Sequence, residues 1–141
     1  MYSAPGQVPT GPRLITARFD VTDGYTYEGY VRTAGYGALR KALSLMTPQQ
    51  VHDEVNAAEI QGRGGAGFIA GTKWGFLPRD VHPRYLVVNG DESEPGTYKD
   101  RLLMELDPHQ LIEGIILASY AINAAHAFLY VRGEMALAQE R

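Results

Sequence analysis

The segment Gly62 to Lys73, GRGGAGFIAGTK, carries five glycines within ten residues: Gly62, Gly64, Gly65, Gly67 and Gly71. Glycine loses more conformational freedom on folding than any other residue, so this density costs stability and calls for a use. Positive φ and the missing Cβ let a ligand come directly against amide N–H groups. Arg63 and Lys73 bracket the loop with cations, and Phe68 and Trp74 stand beside them. Amides with cations suit an anion such as phosphate, and aromatics suit a flat ring. The alternative is an irregular turn with solvated charges, since glycine punctuates loops everywhere.

A second chemical stretch follows, with Asn89 and then three carboxylates, Asp91, Glu92 and Glu94, within four positions. A solvated loop tolerates their repulsion. A binding loop uses them to accept hydroxyls from a ribose or a flavin ribityl chain. A metal is the third use. No histidine lies near in sequence, and His52, His82, His109 and His126 show no ligand spacing. They read as surface or packing residues, with His109 expected in solvent, and no metal site is expected.

Gly62, Gly64 and Gly67 spell G-x-G-x-x-G. The dinucleotide fingerprint needs a strand before it. Here Thr47 to Ile60 reads as a helix, so that context is absent. The phosphate loop G-x-x-x-x-G-K-[ST] fails as well, because only three residues separate Gly67 from Gly71 and Thr72 precedes Lys73. The loop is of nucleotide type but of another design.

The elements around these stretches follow from periodicity and caps. Met1 to Gly11 reads as a lead-in. Leu14 to Val21 alternates weakly, as a short strand would, and Tyr25 to Thr33 reads as irregular. Leu39, Ala42, Leu43 and Met46 recur at helical spacing. Thr47, Pro48 and Gln50 form a capping-box start for the helix that runs to the glycine loop. Arg84 to Asn89, RYLVVN, is a continuous apolar run, as in a strand buried on both faces. Asp107, Pro108 and Gln110 repeat the helix-start signature. The helix to Asn123 is apolar on nearly every side and so buried. Ala127 to Arg132 is a second buried strand. Strand, helix, strand implies a βαβ unit with parallel strands. Ligands of such sheets bind beyond the carboxyl ends of the strands. Asn89 to Glu94 follows one such end, and Gly133 and Glu134 the other.

The 141 residues allow one domain with a moderate core, and 45% apolar content is ordinary for a folded chain. Net charge is −3, which offers no nucleic-acid footprint. The absence of cysteine excludes disulfides, thiolate nucleophiles and iron–sulfur ligation from this chain. The longest apolar run, within Gly114 to Ile122, falls far short of the roughly 20 residues of a bilayer span. No direct membrane insertion is expected, and the default is cytoplasmic.

GRGGAGFIAGTKW, YLVVNGDESEPGTYKDR, DPHQLIEGIILASYAI and YVRGE closely resemble the NADH-binding flavoprotein subunit of respiratory complex I, the 51-kilodalton type. Diaphorase subunits of NAD-reducing hydrogenases and formate dehydrogenases look similar. The likeness covers about Gly35 to the end. It implies an α/β fold: an incomplete Rossmann-like FMN domain, its parallel sheet flanked by helices and preceded by a small helical segment. Residues 1–61 would be the lead-in, and 62–141 half of the FMN and NADH domain. By motif, Gly62, Arg63, Gly64, Gly65, Ala66, Gly67, Phe68 and Gly71 correspond to the nucleotide loop, and Lys73 to its basic partner. Asn89, Asp91, Glu92 and Glu94 correspond to flavin-site residues, with Glu94 nearest the nicotinamide as the catalytic candidate.

The family continues past YVRGE to a second flavin-binding segment, a ubiquitin-like domain and a cysteine-rich domain. A 4Fe-4S cluster is expected only in that further part, and Ile69-Ala70 departs from the usual pair in the loop. The chain therefore reads as an N-terminal part of such a protein, inactive alone. Its expected partners are the iron–sulfur subunit of the 24-kilodalton type and the rest of the assembly. That assembly would lie peripherally at the inner face of the cell membrane. Competing readings are a diaphorase subunit, a non-catalytic nucleotide-binding or assembly module, and an unrelated phosphate-binding enzyme.

Overall fold

The computed structural model describes residues 12–78 and 80–141, so the expected lead-in Met1 to Gly11 lies outside the described residues. The elements are α1 (Tyr27–Arg32), α2 (Gly37–Leu45), α3 (Pro48–Ala57), α4 (Ala70–Gly75), β1 (Arg84–Gly90), α5 (Lys99–Leu106), α6 (Pro108–Ile122), β2 (Ala124–Val131) and α7 (Ala136–Glu140). Strands β1 and β2 pair in parallel, from Tyr85 opposite His126 to Gly90 opposite Val131. The fold is α/β, with the expected βαβ order and a small helical segment before it.

Helix α6 is the hub. It packs on α1, α2, α3, α5 and both strands. Its end is sharp because Asn123 takes a left-handed φ of 55°, a conformation asparagine tolerates, and the chain enters β2 at once. Helix α3 starts on the expected capping box: Thr47 Oγ1 accepts the Gln50 N–H at 3.3 Å, and Gln50 Oε1 accepts the Thr47 N–H at 2.8 Å.

The N-terminal helices are fixed to α6 by one buried carboxylate. Glu113 accepts the Tyr30 hydroxyl at 2.5 Å and the Tyr36 and Leu39 amides at 2.9 Å each. Those amides lie at the N-cap and in the first turn of α2, whose N-cap residue, Tyr36, makes no capping hydrogen bond with its own side chain. Tyr30 is only 1% exposed, and Arg18 lies over its ring, 4.5 Å from the centroid.

Four expectations give way here. Leu14 to Val21 forms successive turns, not a strand, because Arg18 reaches across to Thr33, Gln110 and Asp107 instead of pairing along a sheet. Tyr25 to Thr33 is not irregular: Thr26 caps α1 by accepting the Gly29 N–H at 3.0 Å, and burial of Tyr30 anchors it. Asp107 does not cap α6 with its side chain. It is fully buried and turned to Arg18 at 3.4 Å, and this burial pushes its carboxyl above the ordinary range. His109 is not in solvent; it is half-buried, with Nδ1 2.7 Å from the Tyr36 hydroxyl and its ring stacked on Tyr30.

The strands are also not buried on both faces. Leu86 and Val88 lie on the side of α6, while Tyr85 and Val87 are 55% and 67% exposed. Phe128 and Tyr130, opposite Val87 and Asn89, are 56% and 60% exposed. Among the described residues the sheet has only these two strands, so each has an edge without a strand neighbour. Exposed edges and apolar faces pair with other chains. The 141-residue polypeptide on its own is expected to self-associate. A monodisperse monomer in size-exclusion chromatography would contradict this.

A second prediction concerns Glu113. Burial raises its pKa, but the hydrogen bonds from Tyr30, Leu39 and Tyr36 outweigh burial and hold it below the ordinary 4.5. A lowered folded pKa contributes stability above the unfolded value and loses it as pH falls through the folded value. Glu113→Gln turns an amide donor toward donors, a loss of about 1–3 kcal/mol. Faster hydrogen exchange is expected at the Tyr36 and Leu39 amides, by roughly tenfold or more after intrinsic correction. The gap from wild type should close as pH falls below 4.5. Equal protection at pH 7 would contradict the cap.

Candidate functional site

The glycine loop is an excursion closed at its neck. The Gly62 N–H donates to the Phe68 carbonyl and the Ala70 N–H to the Ile60 carbonyl, both at 2.8 Å, with Gln61 bridged to Ile69. Between these ties the backbone needs glycine at two places, since Gly65 and Gly67 have φ of 113° and 64°. A Cβ built on Gly64, Gly65 or Gly67 would meet nothing within 4 Å. The loop therefore presents its backbone to open space rather than to the protein.

Gly71 differs. It lies buried on α4, and a Cβ there would come within 2.4 Å of the Asn56 Cα on α3. Its carbonyl lies 3.0 Å from His52 Nε2, and the neighbouring Thr72 hydroxyl donates to Asn56 Oδ1 at 3.0 Å. This glycine allows two helices to touch. Close packing of α4 on α3 in turn sets the position of Lys73, on the exposed side of α4.

At the carboxyl end of β1 the acidic loop is tied down unequally. Asn89 Oδ1 accepts the Asp91 N–H at 2.9 Å, and the Ser93 hydroxyl donates to Asp91 Oδ2 at 2.8 Å. The Glu92 side chain is 2% exposed and accepts the Asp100 and Arg101 amides at 2.9 and 3.1 Å. It serves as an anion at the start of α5, where the helix leaves amide groups unsatisfied. Lys99 pairs with Asp100 and lies 4.0 Å from Glu92. The Glu94 side chain is exposed, and among the described residues it has no hydrogen-bond or ion-pair partner; Arg63 and Lys73 are equally free.

The two stretches meet. A cleft of about 760 Å³ is lined by Arg63, Gly64, Gly65 and Lys73 on one side and by Asn89, Asp91, Glu92 and Glu94 on the other. A second cleft of about 610 Å³ adjoins it, sharing Gly64, Lys73 and Val87 and adding Gly62, Ala66, Gly67 and Phe68. All the expected site residues border this space except Gly71. Reading the sequence missed Thr97 and Val87, which line it. Phe76 lines neither cleft but stands near Phe68, 70% exposed with its ring 5.9 Å from that of Phe68.

This space fits a phosphorylated planar ligand. It combines two unpaired cations, backbone without Cβ atoms, exposed rings and hydroxyl-accepting oxygens. Residues 55–141 match the family described as the Nuo51 FMN-binding domain. The chain belongs to this family. It is 50% identical over 129 residues to an NADH-quinone oxidoreductase subunit of Rhizobium meliloti, covering 91% of this chain and 31% of that protein. The corresponding NADH-quinone oxidoreductase subunit of Mycobacterium tuberculosis is 56% identical over 130 residues, covering 86% and 29%. The chain thus spans about a third of the length of the relatives it matches. An NAD⁺-reducing [NiFe]-hydrogenase in the air-oxidized state superposes with a TM-score of 0.63 at 33% identity, over 93% of this chain and 22% of that one. The H₂-reduced state gives 0.58 at 43% identity, over 67% and 18%.

Gly65→Val, made in a full-length flavoprotein subunit carrying this segment, tests the open side of the loop. A branched side chain at φ of 113° adds strain of about 1 kcal/mol or more and fills the approach to the backbone. Flavin retention should fall while the fold persists by circular dichroism. Unchanged flavin content in a folded variant would contradict it.

Proposed function

We propose that this segment forms the first part of the FMN and NADH site of an NADH-oxidising flavoprotein subunit. The observation that carries the reading is the meeting of the glycine loop with the end of β1 around one cleft, with Arg63 and Lys73 unpaired. When bound, FMN supplies the redox chemistry, accepting a hydride from NADH and passing electrons singly toward iron–sulfur clusters and quinone. The chain supplies position and charge. Gly62, Arg63, Gly64, Gly65, Ala66, Gly67 and Lys73 receive phosphate through amides and cations. Phe68 and Phe76 offer a platform for a flat ring. Asn89 and Asp91 offer oxygens to hydroxyls. Glu92 and Gly71 serve the site indirectly, through α5 and α4.

Glu94 is the acid left over to meet the nicotinamide end. A carboxylate there does not carry the hydride; it orients the carboxamide or a water and opposes extra negative charge. The whole protein's partners follow as proposals: the iron–sulfur subunit of the 24-kilodalton type, a 4Fe-4S cluster in the remaining length, and a peripheral place on a membrane complex. Among the described residues no helix is long and apolar enough to cross a membrane. The likeness to the NAD⁺-reducing hydrogenase favours a diaphorase subunit as the second reading.

Glu94→Gln in a full-length flavoprotein subunit carrying this segment is expected to change NADH oxidation by about tenfold or more, near 1.4 kcal/mol. Flavin content should stay near normal, because the glycine loop holds the phosphate. Steady-state kinetics with an artificial acceptor, alongside flavin quantification, decides the matter. Unaltered kinetics would remove Glu94 from the site, and lost flavin would make it a cofactor ligand.

A further inference from the structure

We propose that Arg132 is a positioning residue of this site and acts through Glu94. This rests on the role given to Glu94 above. Arg132 follows β2 directly, and the register that sets Gly90 opposite Val131 brings it beside Asp91. Its guanidinium makes three contacts. Nη1 donates to the Glu92 carbonyl at 2.9 Å, Nε lies 3.7 Å from Asp91 Oδ1, and Nη2 pairs with Glu134. Glu92 is therefore held twice, by its carbonyl through Arg132 and by its carboxylate through the Asp100 and Arg101 amides.

These ties decide which acid faces the cleft unpaired. Asp91 is engaged by Arg132 and Ser93, and Glu92 by the start of α5. The next anchored point is the turn in which the Thr97 N–H donates to the Glu94 carbonyl at 3.1 Å, completed by Gly96 at φ 83°. Glu94 stands between these anchors with its carboxylate unpaired. Only a planar fork with several donors can reach a carbonyl and two carboxylates at once; an ammonium is a single point. Loss of Arg132 frees the backbone before Glu94 and leaves Asp91 as a second uncompensated negative charge.

A double-mutant cycle tests the route. Arg132→Gln, Glu94→Gln and the pair are made in a full-length flavoprotein subunit carrying this segment, with kcat/KM for NADH, flavin content and Tm measured for each. Arg132→Gln alone is expected to lower kcat/KM by about fivefold or more with flavin retained. In the Glu94→Gln background it should add less than about twofold, because two residues acting through one contact are not additive. Arg132→Lys should recover part of the loss, and it carries the cycle if Arg132→Gln does not fold. Additive losses, or an Arg132→Gln enzyme equal to wild type, would overturn the positioning role alone. A silent Glu94→Gln beside a damaging Arg132→Gln would overturn both the role of Glu94 and the route through it.

Discussion

The site exists because β1 and β2 run parallel. Parallel pairing forces a crossover, and α5 and α6 supply it. It also brings both strands to their carboxyl ends at the same edge. Gly90 comes opposite Val131, so the acidic loop after one strand touches the arginine after the other. An antiparallel pair would send these loops to opposite ends. The tie between Arg132 and the acidic loop depends on that choice of direction, and α6 packs on both strands.

The other wall depends on glycines doing two different jobs. Gly65 and Gly67 give the loop its left-handed backbone, and with Gly64 they open it to solvent. Gly71 instead lets α4 lie against α3. The loop is thus pinned at its neck by two backbone hydrogen bonds and oriented by a helix contact outside it. Binding surfaces carried on such fixed loops need less ordering when a ligand arrives.

Local signals made much of this legible. Thr47, Pro48 and Gln50 formed the capping box, and the apolar runs around α6 marked both strands. The glycine and acidic stretches marked the two walls of the cleft. Signals that depend on tertiary partners stayed hidden. Tyr30 looked like part of an irregular stretch because its partner, Glu113, lies far along the chain. Asp107 carried a cap signature, yet Arg18 claimed its side chain. Glu92 looked like Glu94 in sequence, and only the start of α5 distinguishes them. The strands read as fully buried because an apolar run does not reveal which face a neighbour covers.

Receipt of a phosphate by the glycine loop with Arg63 and Lys73 is the central claim. Calorimetric titration of FMN and of riboflavin into the flavin-depleted full-length flavoprotein subunit carrying this segment tests it most directly. The two ligands differ only in the phosphate. FMN should bind about tenfold or more tightly, the scale of a charge-assisted hydrogen bond. In an Arg63→Ala, Lys73→Ala variant that advantage should collapse. Equal affinities for the two flavins, or an FMN advantage untouched by loss of both cations, would contradict it.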